Sequence, residues 1–193
     1  MPRPREFDPD QALEQAMRVF WARGYEGVSV DDLCAATGLS RSSFYAAFGD
    51  KRSLYLNALQ RYESASLARL ASALAGPGTV QARIGRFLDG LIRDIVRGPG
   101  RRGCFIGNCA AELAASDPAT ARRVRHSLGR IERLFARALA AAQAAGEIDR
   151  NTDVLALARF ITSAIQGLRL VGKTGAGRRT LDDIARTVLA AVR

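Results

Sequence analysis

The sequence is short of most groups that enzymatic chemistry draws on. It has one histidine, His126, which argues against imidazole catalysis and against a histidine-rich metal site. Its three cysteines, Cys34, Cys104 and Cys109, are odd in number and lack metal-ligand spacing. That points to a reducing cytoplasm and away from a disulfide framework or a zinc ribbon. No uncharged apolar run reaches the roughly 18 residues of a transmembrane span, so no membrane partner is expected. Met1 to Asp8 lacks an apolar stretch and a cleavage site, so no signal peptide is expected either. Strand-like alternation is scarce, and proline is confined to the N-terminal arm and the loops. No catalytic motif and no cofactor cradle is legible, so the chain is expected to be no enzyme and to need no cofactor.

What is present is a chain of 193 residues, 48% hydrophobic and 25% charged. That suffices for a real core, in one domain or in a small module fused to a larger one. The formal net charge is +10, with lysine only at Lys51 and Lys173 among 29 basic residues. Two readings of the charge are open: attraction to an acidic partner such as nucleic acid, or the Arg, Ala and Gly enrichment of a GC-rich genome. The excess does not sit at the N-terminal end. Residues 1–61 hold seven Arg and one Lys against eight Asp and Glu, and so sum to zero.

The dominant period is helical. A first helix from Pro9 carries Ala12, Leu13, Ala16, Val19 and Phe20 on one face and stops at Gly24. Ser29 caps a short second helix with Asp31 and Asp32 in its first turn, and Val30, Leu33 and Cys34 inward. Thr37-Gly38-Leu39-Ser40 then leads to a short third helix with Phe44, Tyr45 and Phe48. A fourth runs from about Lys51 to Leu74. Five more follow: Val80 to Val96, Cys104 to Ala115, one begun by Asp117-Pro118, one capped by Thr152 or Asp153, and a last one with Leu181, Ile184 and Val188.

Two short helices joined through Gly38 can cross steeply, and the second can lie in a DNA major groove. Arg41, Ser42, Ser43 and Tyr45 occupy the first turns of that second helix, where hydroxyls and a guanidinium suit base edges and phosphates. Lys51 and Ser53 open the next helix, where backbone N–H groups and an ammonium would hold a phosphate. A glycine between short helices is also common in all-α proteins, and spacing alone leaves both readings standing. Trp21 and Tyr25 are read as core filling beside Phe20 and Phe44, and Cys34 as a packed small hydrophobe.

The run from Phe20 through Gly24-Tyr25-Glu26-Gly27-Val28-Ser29-Val30-Asp31-Asp32-Leu33 to Gly38-Leu39-Ser40-Arg41-Ser42-Ser43-Phe44-Tyr45 and Gly49-Asp50-Lys51-Arg52-Ser53-Leu54-Tyr55 resembles the N-terminal domain of TetR-family repressors. The likeness covers about Pro9 to Leu59. It implies an all-α, nine-helix homodimer, with a helix-turn-helix DNA-binding domain over residues 1–50 and a ligand-binding and dimerisation domain over residues 51–193. By that pattern Ser29 stands near a phosphate, and Arg41, Ser42 and Ser43 approach bases or backbone. Tyr45 reaches a phosphate and Lys51 anchors the fourth helix. Ala46 and Ala47 depart from the larger side chains of many relatives, so no operator sequence carries over. Arg3 and Arg5 are either a minor-groove arm or a tail.

Cys104 opens a helix beside Arg101 and Arg102. A helix N-terminus and neighbouring guanidinium groups both favour the reactive thiolate. Arg101 to Leu113 is also similar to a subset of the family that senses electrophiles or oxidants, such as the N-ethylmaleimide-responsive type. Two readings stand for Cys104: a redox or electrophile sensor, or a buried residue near a non-covalent ligand. About five residues along a helix set Cys104 and Cys109 roughly 140° apart, so no bond between them is expected. His126 is read as a surface or pocket-edge residue. The expected function is a ligand-responsive repressor of double-stranded operator DNA, with an unknown small-molecule effector held among the helices from about Val80 to Leu170. The rivals are an all-helical ligand carrier and a protein-binding adaptor that has kept the fold.

Overall fold

The computed structural model describes residues 7–193. Among them the chain forms nine α-helices and no strand: α1 (Pro9–Arg23), α2 (Val30–Thr37), α3 (Arg41–Phe48), α4 (Lys51–Leu74), α5 (Val80–Val96), α6 (Phe105–Leu113), α7 (Pro118–Ala144), α8 (Val154–Lys173) and α9 (Arg178–Ala190). A short 3-10 turn, Pro99–Arg102, precedes α6. Arg3 and Arg5 lie outside the described residues.

The helix starts follow local chemistry. Asp8, Ser29, Ser40, Asp50, Thr79, Asp117 and Asp153 each accept backbone N–H groups of the first turn, which would otherwise lack partners. Of the two candidate caps for α8, Asp153 serves. The sixth helix is shorter than expected. It begins at Phe105, with Cys104 as a cap that makes no side-chain bond. It ends at Leu113, whose carbonyl is taken by the N–H groups of Ser116 and Asp117 as the chain turns.

Two apolar clusters organise the molecule. The first joins Phe20, Leu33 and Phe44 of the N-terminal helices to Leu54, Tyr55 and Leu59 of α4. It continues into Phe105, Ile106, Cys109 and Leu113 of α6 and Val124 of α7. Each fully buried Phe contributes about 1.5–3 kcal/mol relative to exposure. The N-terminal helices therefore do not close a core of their own by residue 50. The second cluster unites the C-terminal end of α4 with α5, α7, α8 and α9. At Gly172 a Cβ would stand 2.6 Å from Ile95 Cγ2, so α8 passes α5 at a distance no side chain allows.

Three expectations are refined here. Cys34 is half-buried instead of interior. Tyr25 packs on Phe20 and Tyr55, not on Phe44. Trp21 turns toward the body of the molecule, its ring 5.0 Å from that of Tyr62. His126 is exposed on α7, as read from the sequence. Among the described residues, α8 alone is long and apolar enough by composition to cross a membrane, yet its inner face packs on α7 and α5 and it carries Arg159 and Arg169.

Candidate nucleic-acid interface

The turn between α2 and α3 sets the interface. Gly38 has φ +69°, a left-handed conformation that L side chains resist, and this lets α2 end abruptly. Leu39 is buried beneath the turn. Ser40 then starts α3: its Oγ accepts the Ser43 N–H at 3.1 Å and bonds the hydroxyls of Ser42 and Ser43 at 3.0 and 2.9 Å. Phe44 is fully buried beneath α3, with Phe48 stacked edge-on at 5.9 Å. Burying that side leaves Arg41, Ser42, Tyr45, Ala46 and Ala47 exposed along the opposite face.

The structure places each expected contact residue. Arg41 is exposed and folds back onto α2, its Nε and Nη2 donating to the two oxygens of Asp31 at 2.8 and 2.6 Å. That fork holds the Asp31 carboxyl below its ordinary range and the Arg41 guanidinium above its own. Both ends face water, so another anion exchanges with Asp31 at little cost. Tyr45 is 48% exposed, with its ring edge-on to Phe44 at 5.4 Å, and so is presented in a fixed pose. The Ser42 hydroxyl is at the surface, whereas Ser43 is half-buried.

Ser29 and Lys51 flank this face. Ser29 and Asp32 form a reciprocal cap: Ser29 Oγ accepts the Asp32 N–H at 3.1 Å, and Asp32 Oδ2 accepts the Ser29 N–H at 2.8 Å. Arg23 joins from the end of α1, donating to Asp32 Oδ1 at 2.8 Å. Arg23 first, then the Ser29 hydroxyl and N–H, drive the Asp32 carboxyl far below the usual range. Lys51 Nζ sits 4.2 Å above the Tyr25 ring, a cation–π perch at the mouth of α4. One expectation fails in part: the Ser53 N–H is already taken by Asp50 Oδ1 at 2.6 Å and does not wait for a phosphate. Among the described residues no carboxylate pairs with the Lys51 ammonium, which rests on the Tyr25 ring.

Sequence reasoning missed the residues that fasten this face to the rest of the molecule. Glu112 of α6 accepts the backbone N–H groups of Tyr25 and Glu26 at 3.0 and 2.8 Å. Gly24, at φ +78°, makes room for it: a Cβ there would lie 2.7 Å from Glu112 Oε2. Arg52 at the start of α4 pairs with Asp117, the cap of α7, at 2.5 Å. Burial, then the neighbouring Cys109 thiol, pushes the Tyr55 phenol far above its ordinary range. The only signal for Glu112 in the sequence is an acid on an otherwise apolar helix.

Cys104 is buried at 7% exposure, between α4 and α8. Arg102, expected beside it, turns its guanidinium over the Trp21 ring at 5.9 Å. The cation in the neighbourhood of Cys104 is Arg169 of α8, which donates to the Tyr62 hydroxyl at 2.6 Å. Burial raises both the Tyr62 phenol and the Cys109 thiol. Near this trio opens a cleft of about 1110 Å³. Its walls come from α1 and α4 as well as α5, the 3-10 turn and α8, so much of it lies ahead of the Val80 to Leu170 stretch where an effector was expected.

Comparison with known proteins bears on the whole chain. Residues 12–58 match the model of bacterial regulatory proteins of the tetR family, and residues 81–188 match that of the tetracyclin repressor-like C-terminal domain. The uncharacterized HTH-type transcriptional regulator YezE of Bacillus subtilis is 34% identical over 186 residues, covering 95% of each chain. The HTH-type transcriptional repressor ComR of Escherichia coli is 33% identical over 97% of this chain and 90% of its own. A cysteine mutant of the TetR-family regulator CifR, solved with 26-base-pair double-strand operator DNA, superposes with a TM-score of 0.87 at 30% identity, over 99% of this chain and all of that one.

Proposed function

The chain belongs to the TetR family of bacterial regulatory proteins, and on that premise we propose that it is a cytoplasmic repressor, not an enzyme, whose homodimer holds double-stranded operator DNA until a small-molecule effector binds. The observation that carries the reading is the exposed face of α3, where Arg41, Ser42 and Tyr45 project from a helix backed by fully buried Phe44. A carrier or an adaptor has no need of such a face. In this reading Arg41, Ser42 and Ser43 meet base edges or the backbone, Tyr45 and Lys51 bind phosphates, and Ser29 holds the end of α2 against the strand. Residues 1–50 make up the DNA-binding part and residues 51–193 the ligand-binding and dimerisation part. CifR and ComR support the DNA partner by kinship.

A dimer suits both the DNA and the surface. Two recognition helices must stand about 34–36 Å apart, or a multiple of it, to enter successive major grooves on one side of the duplex. On α8, Ala156, Phe160, Ser163, Gly167 and Leu170 are exposed at three- and four-residue spacing, a face of small residues bracketed by large apolar ones. Phe160 is 45% and Leu170 64% exposed, and paired α8 and α9 helices from two protomers would cover them. Ligand response then follows from differential affinity: an effector that favours a dimer with misplaced recognition helices lowers operator affinity by that preference. The test is a gel shift of the chain's own upstream DNA at low salt. A retarded complex that Arg41→Ala weakens is the expected result; no shift with the purified dimer would end the proposal.

A further inference from the structure

Two buried donors on the wall of the cleft have no acceptor among the described residues: the Trp21 indole Nε1–H and the Arg169 Nε–H. A buried N–H without a partner costs about 1–3 kcal/mol, so both favour anything that brings an acceptor. The charge around them says which kind. Arg18 and Arg61 are offset by two carboxylates, Glu14 at 3.2 and 2.9 Å and Asp10, which Arg61 also reaches at 3.4 Å. Arg69, Arg102 and Arg169 also line the cleft, and among the described residues none has a carboxylate in ion-pair contact. Asp94 is the one further acid on the wall. Asn57, Gln60 and Ser64 make the α4 side of the lining polar, while Leu13, Met17, Leu91 and Ile95 make an apolar side, the last three of them buried.

We propose that this cleft binds a small amphipathic anion, its carboxylate or phosphate head bonded by Arg169, Arg102 and the Trp21 N–H, and its apolar body laid against Leu91 and Ile95. Three uncancelled guanidinium groups against one carboxylate repel a cation and reward an anion. The apolar wall selects a body that inorganic phosphate lacks. The inference rests on the reading of the chain as a ligand-responsive regulator and gives the ligand of that reading a chemical class.

Trp21 is the sole tryptophan of the chain, so fluorescence of the full-length protein excited at the red edge, where its four tyrosines do not absorb, reports on this cleft. Titration with 4-phenylbutyrate, phenyl phosphate, neutral 4-phenylbutyramide and inorganic phosphate supplies the arms. Saturable change is expected with the two amphipathic anions, at least ~10-fold weaker with the amide and with inorganic phosphate, each charge-assisted bond being worth about that factor. The tighter of the two anions identifies the head group. Arg169→Gln and the exposed Arg102→Gln should each weaken the anions by ~10-fold and leave the amide unchanged, while Asp94→Asn should tighten them. An amide that binds as well as the carboxylate, inorganic phosphate that binds as well as either anion, or no saturation with any anion overturns the site. Operator release is read separately by gel shift. A saturating Trp21 signal with the operator still bound defeats the ligand-responsive reading and leaves the site; a silent Trp21 defeats the site whatever the operator does.

Discussion

Glu112, on α6, accepts the backbone N–H of Tyr25 at 3.0 Å and that of its neighbour Glu26 at 2.8 Å. One carboxylate of the C-terminal body thus holds the turn that joins the two helices ahead of the recognition element. Because the bonds go to backbone, no change of side chain at Tyr25 or Glu26 removes them. Glu112→Ala leaves two donors without partners and should cost about 1–3 kcal/mol. Thermal melts should record a fall of several degrees, since each kcal/mol moves the midpoint by about 2–4 °C at this size. An unchanged midpoint would mean that water replaces the carboxylate at no loss.

Arg41 and Asp31 form an exposed fork, and on the proposed function DNA would compete with Asp31 for the guanidinium. Arg41→Ala should weaken operator binding by ~10-fold or more, the range of a bidentate base or phosphate contact. Asp31→Ala frees the guanidinium and should tighten binding at low salt, with looser discrimination between operator and random DNA. Fluorescence anisotropy over a salt series checks both. Lys51→Ala should weaken all sequences alike and reduce the salt slope by about 1.

The Asp32 carboxyl lies well below its ordinary value of 3.8 because Arg23 and Ser29 bond its charged form. A carboxyl lowered in the folded state adds stability that is complete above the unfolded value and is lost as pH falls toward the folded one. Acid titration of the wild type should therefore show stability falling below about pH 4. Asp32→Asn should flatten that limb while leaving its shape near neutral pH unaltered. Denaturant melts between pH 2 and 7 decide the matter, and equal acid limbs in both proteins would remove Asp32 from the account.

The two readings of Cys104, sensor or buried residue, differ in one outcome. On the sensor reading, treatment with a maleimide should release the operator from the wild type and spare Cys104→Ser. Because the thiol is 7% exposed, the reaction should be slow and should quicken in mild denaturant. Equal loss of DNA binding in the two proteins would assign the effect to Cys34 or Cys109, or to none of them.

Exposed Phe160 and Leu170 on α8 bear the dimer proposal. Phe160→Glu should give monomers by sedimentation velocity and abolish cooperative operator binding, with helix content retained. A stable dimer in that variant would place the interface elsewhere.

Helix boundaries were legible because they rest on neighbours in the chain. Ser29, Ser40, Asp117 and Asp153 cap the N–H groups just after them, and Gly24, Gly38 and Gly146 turn the chain at positive φ. The exposed face of α3 was legible for a similar reason: Phe44 and Phe48 mark the buried side and leave Arg41 and Tyr45 the other. What eluded sequence reasoning depends on distant pairs. Nothing near Glu112 announces Tyr25, 87 residues earlier. Arg102 was read as a neighbour of Cys104 by adjacency, yet the 3-10 turn swings it over Trp21, and Arg169 of α8 takes the expected place. The cleft was not legible for the same reason, because α1 reaches it only after packing along α4.

Helix α4 takes part in both apolar clusters, the first through Leu54, Tyr55 and Leu59 and the second through Leu70 and Leu74. Its 24 residues make a rod about 36 Å long. Pivoted at the Leu74 end, such a lever turns a tilt of ~5° into a displacement of about 3 Å at Lys51. That is close to the rise of one base pair, about 3.4 Å. An anion that wedges α4 from α5 by a few degrees would thus set each recognition helix off register by nearly one step of the duplex.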